Sequence, residues 1–178
     1  MQLPASGEGV LARTNLIYVG PLDEAHGVCA MADAFLAARD HDPRLHLLVV
    51  GEGSKRTDLE HRLGPAATFL GQLDELQLDE LEHTAALLIS PTTGPDTAST
   101  IRDAQLGGLP VLAVDGGEAA ALIENGRSGF LVPDDQSALV DAIRWLSRRA
   151  TLRERLATGG RLAAGARQPS GMERIMSA

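Results

Sequence analysis

Apolar and polar positions alternate along this chain in two recurring ways, and the alternation predicts repeated strand–helix units. Leu16–Val19 is a short apolar run closed by Gly20. Leu45–Val50 is apolar almost throughout and stops at Gly51-Glu52-Gly53-Ser54, the mark of a strand covered on both faces. Thr68–Leu70 is a weaker strand, Leu87–Ile89 and Val111–Val114 are short apolar ones, and Phe130–Val132 follows Gly129. Between them the spacing predicts helices over 28–39, 55–63, 74–84, 97–106 and 118–125. Two more follow: 137–149, with Leu139, Ala142, Ile143 and Leu146 on one face, and an Arg-rich one over 151–166. Strand, helix and strand separated by Gly or Pro describe a parallel sheet. The expected fold is therefore α/β: one Rossmann-like, doubly wound parallel sheet of about six strands, centred on Ile17, Leu48, Phe69, Leu88, Leu112 and Leu131.

Length adds one domain to this picture. With 178 residues, the chain is near the size of a single domain of about 150 residues. Residues 14–166 carry the pattern. The segments 1–13 and 167–178, rich in Gly, Pro and Ser, are expected to be a flexible amino-terminal segment and a tail, with a short turn near Met172–Met176. Aromatic residues are only 3% of the chain against 44% hydrophobic, so the core must be built from Leu, Ala, Val and Ile. The net charge of −8 argues against nucleic acid, which rewards clustered cations. No apolar run reaches the ~20 residues that span a bilayer. Met1–Leu11 has neither a basic start nor an apolar block, so no secretory leader is expected. The lone Cys29, in an apolar helical pattern, is expected to be a buried thiol. A cytoplasmic protein is the expectation.

Several chemistries do not fit. There is no Cys-x-x-Cys pair, and His26, His41, His46, His61 and His83 lack metal-ligand spacing, so no metal is expected. Gly126-Arg127-Ser128-Gly129 is not the Gly-x-Ser-x-Gly of a nucleophile elbow. Gly51-x-Gly53 follows a strand and opens a helix, as a dinucleotide-binding turn does. Arg56 stands where the third glycine belongs, and no acidic residue closes a following strand at the right distance.

The order of short motifs is more specific. Tyr18-Val19-Gly20-Pro21-Leu22-Asp23-Glu24-Ala25-His26-Gly27 is followed by Leu47-Leu48-Val49-Val50-Gly51-Glu52-Gly53, Phe69-Leu70-Gly71 and Leu88-Ile89-Ser90-Pro91. Gly108-Leu109-Pro110-Val111 and Leu122-Ile123-Glu124-Asn125-Gly126-Arg127-Ser128-Gly129-Phe130-Leu131-Val132 complete the series. In this order they resemble the donor-binding half of group 1 glycosyltransferases, proteins of the GT-B fold, over roughly residues 15–156.

The resemblance implies a site for a nucleotide-diphosphate sugar, as donor substrate rather than cofactor. In that family an Arg and a Lys in the first loop hold the diphosphate, and two Glu eight positions apart read the sugar and the ribose. Here those positions hold Pro21, His26, Pro95 and Asp103, and a further acidic position holds Ala121. Pro21 has no donor for an anion. His26 is mostly neutral at pH 7 if its pKa is unperturbed, ~6.5. Asp103 keeps the carboxylate, although an ion pair at the surface explains it as well. The implied donor-binding set is Asp103, Thr97, Ser99, Thr100, Gly20, His26, Gly51 and Gly53, with the catalytic residues unassigned. Thr97, Ser99 and Thr100 also suit a helix start without any ligand. Asp96 suits the helix N-cap better than a sugar-reading role. Lys55 and Arg56 supply charge one loop away, or are simply solvated.

Such enzymes carry a second, acceptor-binding domain, which is not expected in this sequence. The leading expectation is the nucleotide-sugar-binding half of a glycosyltransferase-like protein, moving a hexosyl group only when paired with a separate acceptor-domain subunit. The alternatives are a degenerate donor domain serving as a binding or partner-stabilising module and, more weakly, a dinucleotide-binding protein using 51–54.

Overall fold

The computed structural model describes residues 12–94 and 96–167. The expectations for the amino-terminal segment, for Pro95 and for residues 168–178, the Met172–Met176 turn among them, lie outside the described residues. The elements run β1 (Thr14–Val19), α1 (Val28–Arg39), β2 (Leu45–Val50), α2 (Arg56–Leu63), β3 (Ala67–Gly71), α3 (Glu75–Glu82), β4 (Leu87–Ser90), α4 (Thr97–Gly107), β5 (Val111–Val114), α5 (Gly117–Leu122), β6 (Phe130–Val132), α6 (Gln136–Ser147) and α7 (Ala150–Ala166). The six strands form one sheet in the order β3-β2-β1-β4-β5-β6, and every pairing is parallel. All six expected strand centres fall inside strands.

Side-chain alternation along each strand explains why both faces are covered. Leu16 and Tyr18 of β1, Leu47 and Val49 of β2, and Leu87 and Ile89 of β4 point to one face, where they meet α1, α2 and α6 through Phe35, Leu59, Leu63 and Ile143. Ile17, Leu48, Val50 and Leu88 point to the other, where Ile101, Ala104, Leu122 and the α3 leucines Leu78 and Leu81 cover them. The chain changes face between β3 and β4, so β1 and β4 are neighbours whose following helices leave on opposite sides. That arrangement opens a crevice at their carboxyl ends.

Two α-helices begin at a side-chain cap. Asp74 and Gln77 form a reciprocal capping box at the start of α3, and the Asp135 carboxylate accepts from Ala138 N–H to cap α6. Two ends differ from the sequence reading. The helix expected over 118–125 stops at Leu122, because Ile123 turns extended and buries its side chain while the Ser128 hydroxyl accepts from Glu124 N–H at 2.8 Å. Asp96 stands at the N-cap position of α4, but its side chain makes no capping bond. Cys29 is only partly buried, packed against the core rather than sealed within it. His46 behaves as an ordinary buried histidine: it pairs with Thr68 Oγ1 at 2.8 Å, and burial, with Arg13 and Arg39 nearby, lowers its pKa.

Candidate functional site

The crevice is formed by the loops that leave β1 and β4. Gly20 and Pro21 follow Val19, the last residue of β1; Pro91 and Thr92 follow Ser90, the last of β4, and lead toward α4. Two hollows meet at Val19–Pro21. One lies toward β4 and α4 and is lined by Tyr18, Gly20, His26, Asp96, Thr97 and Thr100 among others. It has a volume of about 20 Å³, room for about one water molecule. The other lies toward β2 and β3, has a volume of about 500 Å³, and is lined by Gly51, Glu52, Gln72, Leu73 and Leu78 with the shared β1 residues. That volume is typical of a small-molecule site.

Of the residues that the resemblance singled out, Gly20, His26, Thr97 and Thr100 come together in the smaller hollow, and Gly20 and Gly51 border the larger. Gly53 and Ser99 line neither. Ser99 is exposed on the first turn of α4. The glycines have a reason that needs no ligand. A Cβ on Gly51 would lie 1.9 Å from Gly20 O, and one on Gly53 2.3 Å from Leu22 O. The backbone here is stitched by Gly20 N–H to Val50 O at 3.0 Å, Leu22 N–H to Glu52 O at 2.9 Å and Lys55 N–H to Leu22 O at 2.9 Å. Glycine lets the first two loops close on each other.

His26 is the electrostatic centre of the smaller hollow. Asp23 Oδ1 lies 2.5 Å from His26 Nδ1 and accepts His26 N–H at 3.1 Å. On its other side Nε2 faces Asp96 Oδ2 at 3.6 Å. The Asp23 hydrogen bond chiefly, with Asp96 adding to it, raises the His26 pKa, and the same bond lowers that of Asp23. The imidazole is thus held toward its cationic form, but between two carboxylates. Thr97 donates its hydroxyl to Gly94 O at 2.8 Å, leaving only its acceptor side for a ligand. Tyr18 donates to Pro21 O at 2.8 Å, and burial, with Asp23 beyond, pushes its phenol well above the ordinary range, so it remains neutral.

The neighbouring cations are paired as well. Lys55 Nζ lies 3.5 Å from Glu24 Oε2; Arg56 bridges Glu52 and Glu60. Asp103 stands elsewhere, six residues into α4 and so about 9 Å along it. It is exposed and borders neither hollow. Its charge bears on Glu82 of α3, one turn beyond the hollow-lining Leu78. Burial first, then Asp103 and Asp79, push the Glu82 carboxyl up to about 7. Ala121 is exposed on α5, where its carbonyl accepts from Arg167 at 3.3 Å.

Sequence reasoning missed Asp23 and the larger hollow's Gln72, Leu73 and Leu78. The signal for Gln72 and Leu73 was their place just after the carboxyl end of β3, and for Asp23 the spacing of three to His26; Leu78, inside α3, carried none. Among the described residues, no cluster of His, Cys, Asp and Glu suits a metal ion, and no helix is long and apolar enough to cross a membrane.

A six-stranded parallel sheet in this order, with its crevice between β1 and β4, is the Rossmann-like architecture of GT-B domains. The sequence pattern of the glycosyl transferases group 1 family matches residues 13–149, and the chain belongs to that family. It is 29% identical over 151 residues to the phosphatidyl-myo-inositol mannosyltransferase of Mycobacterium leprae, a match covering 82% of this chain and 40% of that protein. The fold is that of Anabaena HepE, solved in complex with UDP and glucose, at a TM-score of 0.78 with 21% identity over 93% of this chain and 48% of that one. It is likewise that of the C-terminal domain of a group 1 family glycosyl transferase, LpcC, from Francisella tularensis, at a TM-score of 0.78 with 17% identity over 88% of this chain and 86% of that one. The chain spans less than half the length of the curated relatives it matches.

Proposed function

We propose that this domain holds a nucleotide sugar at the carboxyl ends of β1, β2 and β4, and transfers its hexosyl group only when joined to an acceptor-binding domain, supplied by a separate subunit or a further part of the protein. The observation that carries this reading is the roughly 500 Å³ hollow beside Gly51, Leu73 and Leu78, which meets the hollow at the start of α4 along Val19–Pro21. It suits a nucleoside. The diphosphate then extends past Gly20 toward His26 and the first turn of α4 (Thr97, Ser99, Thr100), where amides and the helix dipole favour anions. Asp103, at the position where the family reads the ribose, lies beside Glu82 and outside both hollows, and its part in this reading rests on the motif alone. HepE, a structural relative, was solved with UDP and glucose.

A second reading is favoured by the charge pairing. His26, Lys55 and Arg56 all face carboxylates, and Asp96 occupies the anion end of α4. On this reading the domain binds a nucleotide weakly and transfers nothing. Calorimetry with uridine and guanosine diphosphates and their sugars tests both readings. Dissociation constants on the order of 0.1–1 mM are expected, about 4–5.5 kcal/mol of binding. No heat with any of them would refute the nucleotide site. Acceptor-dependent release of nucleoside diphosphate by this chain alone would refute the need for a second domain.

A further inference from the structure

A second sizeable hollow lies far from the crevice, where the edge strand β6 meets α6. Its volume is about 500 Å³, and Phe130, Val132 and Trp145 form its apolar part. The Phe130 and Trp145 rings stand 5.4 Å apart. Trp145 is 40% exposed, an unusual place for the only tryptophan of the chain. The rim is basic. Arg149 lies over the Trp145 ring at 4.6 Å, Arg148 donates to His41 O at 2.9 Å, and Arg144 is 3.8 Å from Asp141. Arg148 and Arg149 form no ion pair among the described residues. Residues 144–167 carry seven arginines and one acid, in a chain of net charge −8.

The complementary surface is on the same molecule. Residues 74–82 hold five acids and no base. Leu76 of α3 is 70% exposed, whereas Leu78 and Leu81 of the same helix pack onto the sheet. Asp79 and Glu80, at i+3 and i+4, share the face of Leu76 and are exposed too. Helix α3 covers one face of the sheet and α6 the opposite one. A single chain therefore cannot dock its own α3 in its own hollow, but a second copy can.

We propose that α3 of one copy docks in the β6–α6 hollow of another. Leu76 enters against Trp145 and Phe130, and Asp79 and Glu80 meet Arg148 and Arg149. The two surfaces lie on opposite faces of the sheet and cannot pair reciprocally in one two-fold interface, so the contact is head-to-tail and repeats from copy to copy, as a ring where the rotation closes and as a filament where it does not. Exposed ion pairs at its rim make it sensitive to salt.

Trp145 reports the contact directly because no other tryptophan contributes to the emission. The full chain is raised from about 1 µM to about 1 mM at low ionic strength, with emission and light-scattering mass read together. A blue shift that grows with mass, both reversed by ~0.5 M salt, is expected. Leu76→Asp, at an exposed position that does not support the fold, should weaken association at least tenfold and hold Trp145 at its dilute-state emission. The double variants Asp79→Arg/Glu80→Arg and Arg148→Glu/Arg149→Glu should each stay monomeric alone and associate when mixed. A mass that remains that of one chain at the highest concentration overturns the proposal, as does association that survives Leu76→Asp. An emission already blue-shifted in the dilute monomer overturns it in favour of a segment of the same chain. A shift on phosphatidylglycerol vesicles with a monomeric chain overturns it in favour of a lipid surface.

Discussion

Asp96 stands at the first position before α4, yet its carboxylate faces the imidazole of His26, 3.6 Å from Nε2, and caps nothing. His26 in turn is bonded on its other nitrogen to Asp23. The loops after β1 and β4 are thereby tied across the mouth of the crevice, and the space behind the tie is about 20 Å³. An anion arriving at the amides of α4 meets a carboxylate already there. The pairing that raises the charge on His26 also neutralises it.

The tie has a defined pH window. The raised pKa of His26 means that its contribution is fully present below the unfolded value of ~6.5 and is lost as pH rises through the folded value. The lowered pKa of Asp23 means that its contribution is present above ~3.9 and is lost as pH falls through the folded value. The two overlap between about pH 4 and 6.5. The His26 ring protons, followed by NMR, should titrate above the ordinary histidine midpoint, and Asp23→Asn should remove most of that rise. An unchanged midpoint in Asp23→Asn would mean that the short contact carries no charge coupling.

Replacing Asp96 by Asn removes the competing negative charge and keeps the size. Nucleoside diphosphate affinity at pH 7 should stay level or improve by up to about tenfold, roughly 1.4 kcal/mol. The His26 midpoint should fall slightly, since Asp96 is the smaller of its two supports. Calorimetry decides this: weaker binding in Asp96→Asn would make the carboxylate a ligand-holding group instead of an obstacle.

Gly51→Ala addresses why that glycine is there. A Cβ at this position collides with the Gly20 carbonyl, backbone against backbone, and φ is +135°. Neither loop can yield without breaking the bonds that join 20–22 to 50–55. A loss of about 3 kcal/mol or more in urea unfolding is expected, among the larger effects of a single substitution. A loss below about 1 kcal/mol would show that the loops part easily and that the glycine serves a ligand.

Glu82 should leave a mark on stability. It is 7% exposed and its carboxyl is raised to about 7. The folded state therefore holds this proton where the unfolded state, with a pKa of ~4.3, has released it. Stability must fall as pH rises from about 4.3 to 7 and flatten above. Glu82→Gln keeps the shape and removes the titration, so at pH 8 it should be more stable than the parent by on the order of 1–2 kcal/mol. Parallel stability curves for the two proteins across that range would show Glu82 to be solvated.

The fold was legible because a sheet buried on both faces writes each strand as an apolar run and each joint as Gly or Pro. Leu47–Val50 and Leu87–Ile89 leave little choice of element or of partner layer. The site was less legible because its geometry depends on contacts far apart in sequence. Nothing local tells that Asp96 will turn to His26, 70 residues earlier, instead of capping its own helix. Nor does a Gly-x-Gly pattern distinguish a phosphate cradle from two loops packed backbone to backbone, as Gly51 and Gly53 are. Asp103 was found by its place in a motif, and only the fold shows that it lies beside Glu82 and away from His26.

Asp103→Asn separates the ribose reading from a purely structural one. If Asp103 accepts from the ribose hydroxyls, removing its charge should weaken uridine or guanosine diphosphate binding about tenfold, roughly 1.4 kcal/mol. The same substitution relieves repulsion on Glu82, so its carboxyl should titrate lower whether or not nucleotide is bound. A shift of α3, whose Leu78 borders the larger hollow, would change affinity as well. Glu82→Gln provides the control, because it relieves the same repulsion while leaving Asp103 in place. Weaker binding in Asp103→Asn with unaltered binding in Glu82→Gln assigns the effect to the Asp103 carboxylate. Equal losses in both assign it to the α3–α4 contact, and unaltered affinity in Asp103→Asn removes Asp103 from the site.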